Sequence, residues 1–204
     1  GWPARETASL FAEYARLVVG ALGHLATEWV TLNEPWCSAF LGYGKGAHAP
    51  GRTDYRAAVA AAHHLNLAHG LAVAAIREVS PGASVGITNI VQEFLPLTDS
   101  ADDVAAAERI DAACNRVFLD PVYLGDYSAA VRSTLEPLGL AEVIQPGDLE
   151  IIAAPTDFAG VNHYQRLLVW PDETAPFGVA ERAAEPATTS FGWSVVPDSL
   201  FQVL

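Results

Sequence analysis

The segment Thr31-Leu32-Asn33-Glu34-Pro35-Trp36 places a carboxyl, a carboxamide and an indole side by side. A carboxyl that closes an apolar strand stands where water is scarce. Burial there disfavours the ionised form, which suits a group that must deliver a proton. The amide of Asn33 can both donate to and accept from a hydroxyl. Trp36 offers a flat apolar face of the kind that packs against a ring. The residues alone leave a second reading open, in which Glu34 merely ends a strand or caps the helix that follows. Further polar groups close two other apolar runs, Thr88-Asn89 and Asn162-His163-Tyr164.

The remaining reactive residue types are less well placed. His63, His64 and His69 share one predicted helix, but no two stand four apart and no His-Glu-x-x-His pattern occurs, so no metal ligand set is expected. They fit helix packing, with one imidazole bonded to a strand residue. His24 reads as exposed. Asp120 precedes Pro121 and reads as a helix stop, while Glu93 and Asp157 lack a strand-end setting. Asp99, Asp102, Asp103 and Glu108 read as a solvated helix start favoured by the helix dipole. Trp170 and Trp193 fit either the core or the lining of a site. Cys37 and Cys114 are far apart and read as reduced thiols, which points to a cytoplasmic protein.

Elements must position these groups. Apolar residues recur at helical spacing over 7–22, 54–78 and 101–118, with Asp54 and the pair Ser100/Asp103 as start signals. Asp120-Pro121 is expected to break the third helix, and a shorter helix follows over 126–136. Strands are expected at 29–32, 84–88 and 158–162, with a Gly-rich loop over 42–51 and an exposed excursion over 171–190. Short apolar strands separated by helical crossovers imply a parallel α/β sheet with helices outside. That is either a doubly wound sheet or part of a (β/α)8 barrel, and no GxGxxG follows any strand. In a barrel the C-terminal strand ends carry the site.

Composition sets the frame. The 204 residues are 51% hydrophobic and 17% charged, which excludes disordered, collagenous and disulfide-scaffold chains. With 11 Lys and Arg against 24 Asp and Glu the net charge is −13, and Lys45 is the only lysine. Neither a nucleic acid nor an anionic membrane is an expected partner of such a surface. No apolar run of roughly 18 residues is read as a membrane span, and the N-terminus shows no signal-peptide pattern. The chain begins with Gly1 and has no methionine. Either a removed leader or a longer parent chain is expected.

The ordered motifs carry a resemblance. Trp29 and Thr31-Leu32-Asn33-Glu34-Pro35, then Gly44-Lys45-Gly46-Ala47-His48-Ala49-Pro50-Gly51, Ala62 through Gly70, Val85 through Thr88, Asn115 through Pro121, Asp157 through Tyr164, and Gly192-Trp193 together resemble glycoside hydrolase family 1, the β-glucosidase family. The resemblance covers almost the whole chain. It implies an incomplete (β/α)8 TIM barrel, with residues 1–204 the central part of one catalytic domain. Strands four to six of the eight would be present, and strands one to three, seven and eight would lie outside. It implies that Glu34 is the general acid/base and that Asn33 bonds the sugar 2-hydroxyl. Asn162 and Tyr164 would be active-site groups, the tyrosine supporting a nucleophilic carboxylate. Trp36 would form a wall of the leaving-group site, with His48 on a loop near it. His163 stands where the family commonly has another tyrosine.

The implied reaction is hydrolysis of terminal β-linked sugars with net retention, using two carboxylates about 5–5.5 Å apart. The substrate would be a small β-glucoside or cello-oligosaccharide, with no cofactor or metal. The nucleophile would stand in a Thr-Glu-Asn-Gly segment beyond Leu204, so the chain alone is expected to be inactive. Two alternatives keep the motifs: a 6-phospho-β-glycosidase, and a non-catalytic carbohydrate-binding or structural half-barrel. Unpaired strand edges at both ends of the arc are expected to promote association.

Overall fold

A computed structural model describes all 204 residues. Helix α1 (Glu6–Leu22) leads into strand β1 (Glu28–Asn33) and a π-helical segment, Cys37–Gly44. Helix α2 (Tyr55–Val79) follows, then strands β2 (Ser84–Ile90) and β3 (Glu93–Pro96). Helix α3 (Ala101–Asp111), a π-helical turn (Ala112–Arg116) and helix α4 (Val117–Tyr123) follow one another without a break. Helices α5 (Ala129–Leu135), α6 (Leu140–Val143) and α7 (Asp148–Ile152) precede strand β4 (Phe158–Asn162). Strands β5 (Arg166–Pro171) and β6 (Val179–Ala183) and helix α8 (Ser199–Val203) complete the chain.

The expected start signals act as such. The Asp54 side chain accepts from Ala57 N at 3.1 Å, and Ser100 accepts from Asp103 N at 3.1 Å. The Asp103 carboxylate does not return to Ser100. It is buried and accepts from the Thr98 backbone and hydroxyl, so it ties down the preceding turn instead of facing solvent. Asp120-Pro121 does not end its helix, which continues to Tyr123 with Pro121 inside it. Proline removes one hydrogen bond there without stopping the helix.

β1, β2 and β4 form a parallel sheet in the order β1-β2-β4, so β1 and β4 each keep one unpaired edge. The intervening helices cover one face, as in part of an α/β barrel. A second sheet was not expected from the sequence: β3 pairs in parallel with β5, which pairs antiparallel with β6. The stretch 171–190 is therefore not a uniform exposed excursion. Val179 is buried, and Phe177 packs edge-on against Phe40 and Tyr55.

α2 is the spine of the helical layer. Every residue from Ala61 to Gly70 is buried. Its length and apolar composition alone would suit a membrane span, contrary to the sequence expectation, but 83% of its most apolar 18-residue window is buried inside the fold. Val73 and Ile76 pack against Val85 of β2, and Leu67 and Ala68 against Ile87. The small residues Ala8, Ala12, Ala15 and Val19 line the buried face of α1. Gly70 lets α7 seat: a Cβ there would stand 1.9 Å from the Ile151 carbonyl oxygen.

The three histidines of α2 bond within the fold. His69 Nδ1 lies 2.7 Å from Thr31 Oγ1 on β1, the expected helix-to-strand link. With Nδ1–H donating to Thr31, the threonine hydroxyl is free to donate to the Gly86 carbonyl at 3.3 Å. His63 bridges Tyr127 Oη at 3.0 Å and Asp148 Oδ2 at 2.9 Å. His64 Nδ1 lies 3.1 Å from the Trp2 carbonyl. Burial opposes the charge on Asp148, yet hydrogen bonds from Arg5, His63 and the Gln145 backbone outweigh it and hold the carboxyl well below the usual range. Burial pushes His69 down to about 4 and lowers His63 against the pull of Asp148. Both imidazoles are therefore neutral at pH 7.

These groups set an acid limit to stability. In the unfolded chain His63 and His69 gain protons near their ordinary value of 6.5. The folded chain resists until lower pH, so below that value the unfolded state binds more protons and stability falls with pH. The His69 contribution is present above pH 6.5 and is lost by about 4, His63 acts in the same direction, and below about 4 protonation of Asp148 in the unfolded chain begins to add to the loss. The urea midpoint should decline steadily from pH 7 to pH 4. A flat midpoint over that interval would contradict the assignment.

Candidate active site

β1 ends where its polar residues begin. Glu34 N still donates to the Thr88 carbonyl of β2 at 2.8 Å, so the backbone is held to the sheet through the turn. Glu34 itself adopts φ 49°, the left-handed region that a side chain other than glycine enters at a cost of roughly 1–3 kcal/mol. Pro35 follows, and Cys37 N donates back to the Glu34 carbonyl at 2.9 Å. The chain thus reverses into the π-helical segment with the Glu34 carboxyl left at the strand end.

Three donors converge on that carboxyl. Asn162 Nδ2, at the end of β4, donates to Oε1 at 2.7 Å, and the Tyr164 hydroxyl donates to the same oxygen at 3.2 Å. Cys37 Sγ stands 3.4 Å from Oε2. Asn162 Nδ2 also reaches Asn33 Oδ1 at 3.2 Å. Burial first, and the neighbouring Glu34 second, push the Cys37 thiol up to about 12. Burial and Glu34 likewise raise the Tyr164 phenol. Both remain protonated donors at neutral pH. No ion pair of the structure includes Glu34.

Asn33, Glu34, Asn162 and Tyr164 are therefore brought together from β1, β4 and the turn after β4. Tyr164 bonds the expected acid itself, whereas the resemblance implied support of a second carboxylate. Trp36 packs beside Phe40 with ring centroids 5.9 Å apart, and the Lys45 ammonium stands 5.6 Å from its ring centroid. Trp36 also borders an apolar cavity of about 190 Å³ shared with Ile90, Phe94, Cys114 and Phe177. His48 is exposed on the loop after the π-helical segment, and no side-chain hydrogen bond joins it to the group around Glu34.

The sequence left two tryptophans open between core and site. Trp193 lies against Tyr164, centroids 5.0 Å apart, and stacks on the exposed Phe191 at 5.1 Å. Trp170 stands on β5 opposite Ala180. Cys37 was read only as a free thiol. Its spacing of three from Glu34 across a helix start was the signal that could have found it. His163 faces away from the carboxyl, linking the Val91 carbonyl at 2.7 Å and Ser199 Oγ at 2.8 Å. Ser199 donates to Glu93, which pairs with Arg166 at the start of β5.

Comparison with known proteins gives a consistent picture. The family model for glycosyl hydrolase family 1 matches residues 1–203. A beta-glucosidase of Agrobacterium sp. is 38% identical over 205 residues, covering 98% of this chain and 44% of that protein. The chain thus spans about half the length of the curated relatives it matches. The crystal structure of the psychrophilic beta-glucosidase BglU from Micrococcus antarcticus superposes with a TM-score of 0.92 at 42% identity, covering 98% of this chain and 47% of that one. Virulence factor SghA, solved in complex with its substrate analog salicin, gives 0.91 at 36% identity, covering 100% and 45%.

The backbone at Glu34 yields a stability test. Glu34→Gly and Glu34→Ala both remove the carboxyl, but only glycine relaxes at positive φ. Chemical denaturation should find the glycine variant more stable than the alanine variant by about 1 kcal/mol. Equal stability, or the reverse order, would remove the case for strain at this position.

Proposed function

The chain belongs to glycosyl hydrolase family 1, and from that premise we propose that it is the central part of a retaining β-glycosidase barrel, strands four to six of eight, with Glu34 as its general acid/base. One observation carries the reading: a carboxyl at the C-terminal end of β1 is held by an amide from the C-terminal end of β4, the edge on which such barrels build their sites. The likeness to beta-glucosidases, and to a protein solved with salicin, supports a small β-linked glucoside as substrate.

The chemistry follows from the groups. A second carboxylate, supplied from outside these residues, attacks the anomeric carbon. The C–O bond to the leaving group breaks, its electron pair passes to the glycosidic oxygen, and Glu34 gives that oxygen a proton. In the second step the Glu34 carboxylate takes a proton from water as the water oxygen displaces the enzyme carboxylate. Asn33 bonds the 2-hydroxyl, a contact that strengthens as charge develops at the ring. Asn162 and Tyr164 hold the carboxyl in place between the two steps, and Trp36 borders the leaving-group side with His48 on the loop beyond. Neither step calls on a metal or a cofactor.

Leaving-group dependence tests the acid. In the full-length protein carrying this chain, Glu34→Ala should slow bond cleavage of an alkyl β-glucoside by 10²–10⁴-fold or thereabouts, the usual worth of a positioned acid. A dinitrophenyl β-glucoside, whose leaving group needs no proton, should lose far less in single-turnover cleavage. Equal losses for both would count against Glu34 as the acid. The isolated 204-residue chain should turn over neither substrate, and genuine turnover by it would overturn the assignment of the nucleophile to another segment.

A further inference from the structure

The two oxygens of Glu34 are not equivalent. Oε1 accepts from two donors, an amide N–H at 2.7 Å and a phenol O–H at 3.2 Å. Oε2 faces only the Cys37 thiol, at 3.4 Å. A proton placed on Oε1 would displace one of two good hydrogen bonds, and the donor displaced would be left against another donor. A proton on Oε2 disturbs neither. It meets a sulfur atom, which is both a weak acceptor and a weak donor.

Resting on the reading of Glu34 as acid/base, we propose that the proton exchanged in both steps is carried on Oε2, and that Cys37 is the positioning residue that holds this oxygen. When the carboxyl is protonated, the Oε2–H can rest on the sulfur lone pair. When Oε2 has given its proton to the glycosidic oxygen, the thiol rotates and donates to the carboxylate. Water then returns a proton to Oε2, and the thiol is left as it began. The thiol itself is never ionised, oxidised or bonded to substrate. The arrangement depends on backbone geometry: the turn that places Glu34 in the left-handed region is followed, after Pro35 and Trp36, by the π-helical segment, whose first residue is Cys37.

The groups facing the carboxyl are Asn162 and Tyr164 from β4 and the turn after it, and Cys37 from the π-helical segment. None of them is charged at neutral pH, so the thiol is the one donor whose removal alters Oε2 alone. Cys37→Ala should leave the carboxylate less well solvated and favour its protonated form. The alkaline limb of kcat/KM for an alkyl β-glucoside should then move up by about half a pH unit. Cys37→Ser, which keeps a group able to donate and accept, should restore the limb toward its original position.

A residue that merely fills space would change activity at all pH values alike and leave the limb where it was. Measured in the full-length protein, an unmoved limb in Cys37→Ala would overturn the proposal, as would a Cys37→Ser limb indistinguishable from that of Cys37→Ala. The outcome is separable from failure of the parent reading. Glu34→Ala tests whether Glu34 is the acid through leaving-group dependence, and it can succeed while the Cys37 variants fail. Asn162→Ala serves as the opposite control: it strips a donor from Oε1, so its effect should persist when Cys37 is also replaced.

Discussion

One amide, Asn162 Nδ2, bonds both Glu34 Oε1 and Asn33 Oδ1 and so joins the two outer strands of the sheet across the end of the one between them. Two strand spacings amount to roughly 9–10 Å, so these bonds form only because the side chains reach toward one another from the outer strands. Their reach is set by register. β2 and β4 align Thr88 with Gly160 and Ile90 with Asn162, and a Cβ on Gly160 would come within 2.2 Å of Thr88 Oγ1. A glycine at that point keeps the strands at their spacing. On the other side, the ladder between β1 and β2 is irregular between Val30 and Asn33, and the strand then turns over at Glu34.

Behind this edge the helical layer is unusually polar for a core. α2 carries three histidines and Asn66 in its most buried stretch. A buried polar group left unpaired is expensive, and paired it fixes one arrangement among many. Asn66 donates to the Val117 carbonyl at 2.9 Å and to Tyr127 Oη at 3.3 Å, and His63 ties the same tyrosine to Asp148. Arg5 meets that aspartate from just before α1. One network therefore docks α1, α2, α7 and the segment before α5 on each other. A purely apolar α2, rich in alanine, would pack with less definite azimuth.

Much of this was readable from residues, and the failures share a cause. The strand ends at Asn33 and Asn162, the helix starts at Asp54 and Ser100, and the tie from α2 to β1 all follow from local chemistry. So does the meeting of Glu34 with Asn162, once parallel pairing is granted. What escaped depended on partners distant in sequence. β5 and β6 contain proline, arginine and glutamate and resemble a loop until each is seen paired along its length. Asp103 looked like a solvated helix start because its acceptor role is directed backward to Thr98. Pro121 looked like a stop because the π-helical turn before it leaves no mark in composition. Trp193 could be assigned to the site only when Tyr164 was seen against it.

The span between Glu34 and Asn162 has a meaning for synthesis. The principal donor to the Glu34 carboxyl lies 128 residues downstream of it. At roughly 5–20 residues per second a ribosome needs about 6–25 s to make that length. Through that interval α1, β1, α2 and β2 can meet in the cell, while the strained turn at Glu34 stands with Oε1 open to solvent. Within these residues the carboxyl is thus held late, and a nascent chain stalled before β4 would display it without the amide that steadies it.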